Sequence, residues 1–274
     1  MDAESKVYEL PTQTVPGINL SDHVADLLEI QSFFLCRGIN TANTRIERYS
    51  KYLIECAEGS STSESLIFKN SLDARFQSRI DWIMYVLREV HELMWILRGL
   101  KQHIPIGLDD KLRAIVSGSD FAALDKNSHS RNVQFELRIA SYFCQSGCEV
   151  DLTTDTDVIA ASSEFGFYVE CKRVASANQL AGRLEKGAKQ LSKRMPSEYK
   201  KLRTVGIVAA DVTAVAYPHN GLTWAETEEH SRDIIRSKLD HIAGNLKLPP
   251  VCFNRNLAKP MNHITADKIK NTTA

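Results

Sequence analysis

The sequence predicts an α/β chain of the α+β kind, with a mixed sheet flanked by helices in the C-terminal half and an all-α region before it. Three observations predict this. Apolar residues recur at helical spacing through the N-terminal part; beyond it short apolar runs alternate with helical stretches; and a mixed segment with Pro105, Gly107 and Gly118 separates the two patterns. The division expected is a helical region over 1–120 and a second domain over 121–274, ending in a polar tail.

Each element has its own signal. Asp22 to Arg37 reads as a helix capped by Ser21 and ended by Gly38, and Asn43 to Ala57 as a second, ended by Gly59. After a Ser/Thr-rich break, Leu66 to Arg98 carries Ile80, Ile83, Met84, Leu87, Leu93, Ile96 and Leu97 at helical spacing. Asp81, Arg88, Glu89 and Glu92 lie within that run, and charges at such depth are costly in a bilayer, which favours a helical-bundle or dimer-forming helix over a membrane span. His91-Glu92 begins the zinc-protease pattern HExxH, but Trp95 stands where the second histidine must share the metal. Asn132 to Gln145 reads as a helix ended by Gly147. Glu149 to Thr153, Val158 to Ala161 and Phe167 to Val174 read as strands, Gln179 to Met195 as a helix and Thr204 to Ala210 as a strand. Thr223 to Leu246 reads as mostly helical, and Val251 to Phe253 as a last strand.

Composition bounds the function. A length of 274 residues suits one or two domains, and 43% hydrophobic against 25% charged residues excludes wholesale disorder. Lysine plus arginine and aspartate plus glutamate both number 34, so any attraction for a polyanion must be local. No basic stretch followed by an apolar run opens the sequence, so a cytoplasmic location is expected. The six scattered cysteines are then reduced thiols, and Cys144 and Cys148, spaced CxxxC with no ligand pair nearby, read as small apolar residues.

The chemistry concentrates on one strand. Glu-x-Lys triplets are common; Glu4-Ser5-Lys6, Glu198-Tyr199-Lys200 and the loop-like Asp109-Asp110-Lys111 have no plausible strand around them. Glu170-Cys171-Lys172 differs because it follows Phe167-Tyr168-Val169. Alternation puts Glu170 and Lys172 on one face, with Cys171 and Val169 turned to a core. A hairpin symmetric about Ser163 and Glu164 sets Asp157 opposite Glu170, whereas a slip of one residue sends it to the wrong face. On the helix Asn132 to Gln145, Glu136 sits beside the apolar stripe of Phe135, Ile139 and Phe143. Packed on the sheet, it is directed towards the other two acids. Three convergent carboxylates repel unless a cation neutralises them, and an all-oxygen set suits Mg²⁺ or Mn²⁺ better than zinc. The bland alternatives are an exposed helix residue for Glu136, a turn residue for Asp157 and a surface ion-pairing set for Glu170 and Lys172.

Asn132 through Ala140, Asp157-Val158-Ile159, Tyr168-Val169-Glu170-Cys171-Lys172-Arg173 and Gln190 together resemble the PD-(D/E)xK phosphodiesterase superfamily, of restriction-endonuclease-like fold, over residues 125–255. Thr156 stands where the family's pattern has proline, which leaves Asp155 as a rival to Asp157. The resemblance implies a metal-dependent nuclease. Asp157, Glu170 and the Cys171 carbonyl would hold Mg²⁺ or Mn²⁺, Glu136 would join directly or through water, and Lys172 would serve the attacking water or the transition state. Gln190 would be a further site residue. It also implies DNA before RNA as partner. The alternative is a catalytically inactive nucleic-acid-binding or assembly module of the same fold. Between residues 170 and 203, ten basic residues against three acidic ones leave a net charge of plus seven, a local footprint for a polyanion. The N-terminal helices are expected to contact a protein partner, substrate or a second copy.

Overall fold

Helical spacing becomes helix, and apolar alternation becomes sheet, largely where the pattern places them. The structure is a computed structural model and describes residues 20–57, 79–122, 127–216 and 227–244. It contains α1 (Leu20–Cys36), α2 (Arg45–Ala57), α3 (Arg79–Gln102), α4 (Leu108–Val116), α5 (His129–Gln145), β1 (Glu149–Asp151), β2 (Val158–Ala161) and β3 (Phe165–Arg173). These are followed by α6 (Ala177–Arg194), β4 (Glu198–Tyr199), β5 (Leu202–Asp211), α7 (Thr213–Ala216) and α8 (Glu228–Gly244). The chain is thus of the α/β class, with a helical N-terminal region. No described helix is long and apolar enough to cross a membrane. Gly59, the part of the third predicted helix before Arg79 and the strand expected at Val251 to Phe253 lie outside the described residues.

Three local expectations need correction. Helix α1 already includes Ser21 in its first turn, so that residue is not at the cap position. Asp109-Asp110-Lys111 is not a loop but the start of α4, where two acids in the first turn suit the positive end of the helix dipole. Its signal was the spacing of Leu108, Leu112 and Ile115, all buried, which Pro105 and Gly107 just upstream obscured. Glu198 and Tyr199 form the two-residue edge strand β4, too short to show an alternation.

The sheet has the order β1-β2-β3-β5-β4, antiparallel except for the parallel pair β3 and β5. A parallel pair needs a crossover, and α6 supplies it. Both faces are covered. Val158, Ala160, Phe167, Val169 and Ile207 join the main core beneath α5, while Ile159, Tyr168 and Val208 meet Leu191 of α6 on the other face. The main core runs without interruption from Leu27 in α1 to Ile207 in β5, and so crosses position 120. Charge crosses with it. Glu89 of α3 pairs with Arg131 of α5 and lies 3.7 Å from Arg45 of α2, all three buried.

Helix α6 sits close on the sheet because residue 187 lacks a side chain. A Cβ on Gly187 would come within 2.7 Å of Val208 Cγ1 and 3.5 Å of Lys172 Cε. Gly187→Val is therefore expected to cost about 1–3 kcal/mol of stability by overpacking. Urea denaturation checks this, and a fully stable variant would show that α6 is free to lift.

Candidate active site

Strand β3 is apolar up to Val169, and its alternation then carries Glu170 and Lys172 onto the α6 face while Cys171 packs against the main core. The hairpin register is Val158 opposite Val169, Ile159 opposite Tyr168 and Ala160 opposite Phe167. Extended by one residue, it sets Asp157 opposite Glu170, as the symmetry about Ser163 and Glu164 predicts. Asp157 precedes the first ladder residue of β2, so its side chain, not its backbone, meets β3. The Cys171 N–H donates to Asp157 Oδ2 at 2.7 Å. N–H and C=O of one strand residue point to the same edge, so the Cys171 carbonyl faces that gap as well.

Lys172 closes the arrangement. Its Nζ donates to Glu170 Oε2 at 2.8 Å and to Asp157 Oδ2 at 3.4 Å, so two carboxylates from neighbouring strands converge on one cation position. Glu170 is fully buried, at 0% exposure, whereas the Asp157 side chain is 24% exposed, so the pair has a sealed side and an open side. A buried carboxylate needs charged or hydrogen-bonding partners for both oxygens. Arg194 takes the second, donating to Glu170 Oε1 at 2.8 Å and to the Asp155 carbonyl at 2.5 Å. Asp155 itself is exposed and contributes only that carbonyl, so Asp157 is the aspartate brought to the strand.

Glu136 approaches from the opposite face of the sheet, since α5 covers the main core. Burial raises its pKa; Lys111, donating to Glu136 Oε2 at 2.6 Å, opposes the rise, and Asp157 adds to it. Burial, then the negative charges of Asp157 and Glu136, push the Cys171 thiol well up and keep it protonated. The structure thus joins Asp157, Glu170 and Lys172 and holds Glu136 at one remove. No three acidic, histidine or cysteine side chains among the described residues are close enough to hold a metal ion as they stand.

Gln190 lies on α6 between Gly187, which faces Lys172, and Arg194, which holds Glu170. Its Oε1 is buried without a hydrogen-bond partner among the described residues, an acceptor left open beside the site. Arg183, Lys186 and Lys193 of the same helix are exposed. Two site residues escape the sequence pattern. Arg194 is one of ten basic residues in its stretch, and only the helical spacing from Gly187 through Gln190 singles it out. Lys111 needed α4 to be read as a helix. Comparison of the chain with protein-family models, with curated proteins and with solved structures finds no match.

Proposed function

We propose that the chain is a divalent-metal-dependent nuclease of the PD-(D/E)xK kind, hydrolysing phosphodiester bonds of DNA before RNA. The observation that carries this reading is the convergence of Asp157 Oδ2 and Glu170 Oε2 on the Lys172 ammonium beside the end of β2. An ammonium held there marks a position where both acids favour a cation. Two carboxylates are also what Mg²⁺ asks of a protein, because it keeps several waters and completes its shell with substrate phosphate. The donor set therefore fits Mg²⁺ or Mn²⁺, held by Asp157, Glu170 and the Cys171 carbonyl, with Glu136 reaching it directly or through water. When bound, the ion supplies a polarised phosphodiester and a more acidic water. Lys172, displaced from between the acids, orients the attacking water or neutralises charge growing on the phosphorane-like transition state. Arg194 keeps the Glu170 carboxylate aimed, and the open Gln190 Oε1 accepts a hydrogen bond from water or substrate. The exposed Arg183, Lys186 and Lys193 of α6 supply phosphate contacts along the substrate.

The test is cleavage of supercoiled plasmid, linear duplex, single-stranded DNA and RNA in Mg²⁺, Mn²⁺ or EDTA, with Asp157→Ala as comparison. Cleavage that needs the metal and vanishes in the variant is the expected result; cleavage that survives EDTA or the variant sinks the reading. The second reading, an inactive binding module, is favoured by one observation, that Glu170 and Glu136 each already have a protein cation. It predicts salt-sensitive DNA binding with no cleavage in any metal. For the N-terminal helices, Leu28 and Leu35, seven residues apart on α1 and 53% and 71% exposed, favour a protein partner or a second copy over substrate. Sedimentation of wild type beside the Leu28→Ser/Leu35→Ser variant separates these, and a wild-type monomer removes the second copy.

A further inference from the structure

One side chain of the helical region, Lys111, reaches the candidate site. Helix α4 is anchored to the core by Leu108, Leu112 and Ile115, and it packs on α5. Beside that apolar stripe, Lys111 donates to Glu136 Oε2 at 2.6 Å; the lysine side chain is 24% and the glutamate 12% exposed. The pair is neither a loose surface contact nor sealed in the core. Glu136 is carried by α5, which packs on β2 and β3, and Asp157 is among the charges that raise its pKa. The acidic side chains therefore divide into a pair neutralised by Lys172 and Arg194 from within the sheet domain, and a third neutralised from the N-terminal region.

We propose that Lys111 is a positioning residue of the site: its ion pair parks Glu136 away from the Asp157–Glu170 pair, and the third carboxylate joins a bound divalent cation only when that ion pair opens. This rests on the metal-dependent reading above and adds to it a control exercised by the helical region. The argument is one of charge and distance. A carboxylate in a short ion pair must give up that contact to turn to another cation, and a fixed ammonium beside a cation site also opposes a second positive charge. Both effects weaken metal binding in the resting protein, and both vanish when the ammonium is removed. Lys111 thereby gives α4 a role in the chemistry, and a shift of α4 on α5 would change metal affinity without touching β2 or β3.

The test is Mn²⁺ binding to the full chain, read by electron paramagnetic resonance of the free ion, which needs no catalysis. Lys111→Met is expected to bind Mn²⁺ about tenfold more tightly than wild type, by the size of one short, partly exposed charge contact. Lys111→Arg should restore the wild-type affinity, and Lys111→Met/Glu136→Gln should lose the gain. A Lys111→Met affinity equal to or weaker than wild type overturns the proposal when Asp157→Asn still abolishes binding. Failure of wild type to bind Mn²⁺, or an Asp157→Asn variant that binds as wild type does, removes the metal site itself and the proposal with it. Far-ultraviolet circular dichroism of each variant confirms that the fold is kept.

Discussion

Replacing Lys172 by methionine should tighten divalent-metal binding while abolishing cleavage, so that affinity and activity move in opposite directions. The ammonium touches both Glu170 Oε2 and Asp157 Oδ2, and its removal leaves two acids facing one empty cation position. Affinity for Mn²⁺ should therefore rise by about tenfold, since a competing charge at hydrogen-bond distance has gone. Activity should drop by roughly 10³-fold, the usual scale for losing a group that meets charge developing in the transition state. Without metal the variant should also be less stable by about 1–3 kcal/mol, because the buried Glu170 keeps only Arg194, on its other oxygen. Added Mg²⁺ should recover most of that loss by binding only the folded state. Metal titration, single-turnover cleavage and thermal melts with and without Mg²⁺ read the three effects. If affinity and activity fell together, Lys172 would be a ligand-organising residue and not a catalytic one. If neither moved, the Glu170–Lys172 pair would be the ion-pairing set that its composition also allows.

How far such a site is legible in sequence depends on the range of the signal. Alternation along Phe167-Tyr168-Val169-Glu170-Cys171-Lys172 is a local rule, and it put Glu170 and Lys172 on one face with Val169 in the core. Register is nearly as local once a hairpin is assumed, because shifting by one residue would have buried Asp157's neighbours the wrong way; Val158 and Ala160 are both in the main core. Glu136 illustrates what alternation cannot reach. Its helix was readable, and Phe135, Ile139 and Phe143 are all buried, yet nothing along α5 says which cation will meet the carboxylate. That partner, Lys111, is separated by 25 positions and sits on a helix hidden behind Pro105 and Gly107. Arg194 was lost for the opposite reason, being one cation among many. Ionic partners of this kind depend on how helices pack, and packing is decided by the whole core.

That core joins the two halves of the chain through buried charge, and Glu89→Ala is expected to be the most destabilising single change considered, at about 3–5 kcal/mol. Glu89 pairs with Arg131 of α5 and faces Arg45 of α2, two guanidinium groups with side chains 3% and 0% exposed. The rest of the network only partly compensates for losing the carboxylate. Arg45 also donates to the Ile115 carbonyl at 2.8 Å and to Gln134 Oε1 at 2.5 Å, and Arg131 to the Ser119 carbonyl at 2.8 Å. These neutral acceptors solvate two positive charges without cancelling them. Burial and the nearby Glu89 charge also raise the Tyr49 hydroxyl to about 12, which marks how little water reaches this region. The exposed Asp233, 3.9 Å from Arg236, provides the contrast, since its alanine variant should melt as wild type does. Because the charges tie α2 and α3 to α5, and α5 carries Glu136, loss of Glu89 should unfold the helical region and the sheet together. Urea curves followed by tryptophan fluorescence, which reports on Trp82 and Trp95 of α3 together with Trp224, and by circular dichroism should then coincide. Two separated transitions would show that the helices and the sheet are independently stable. Lys111 would then couple two folding units, where a single transition makes it a residue of one.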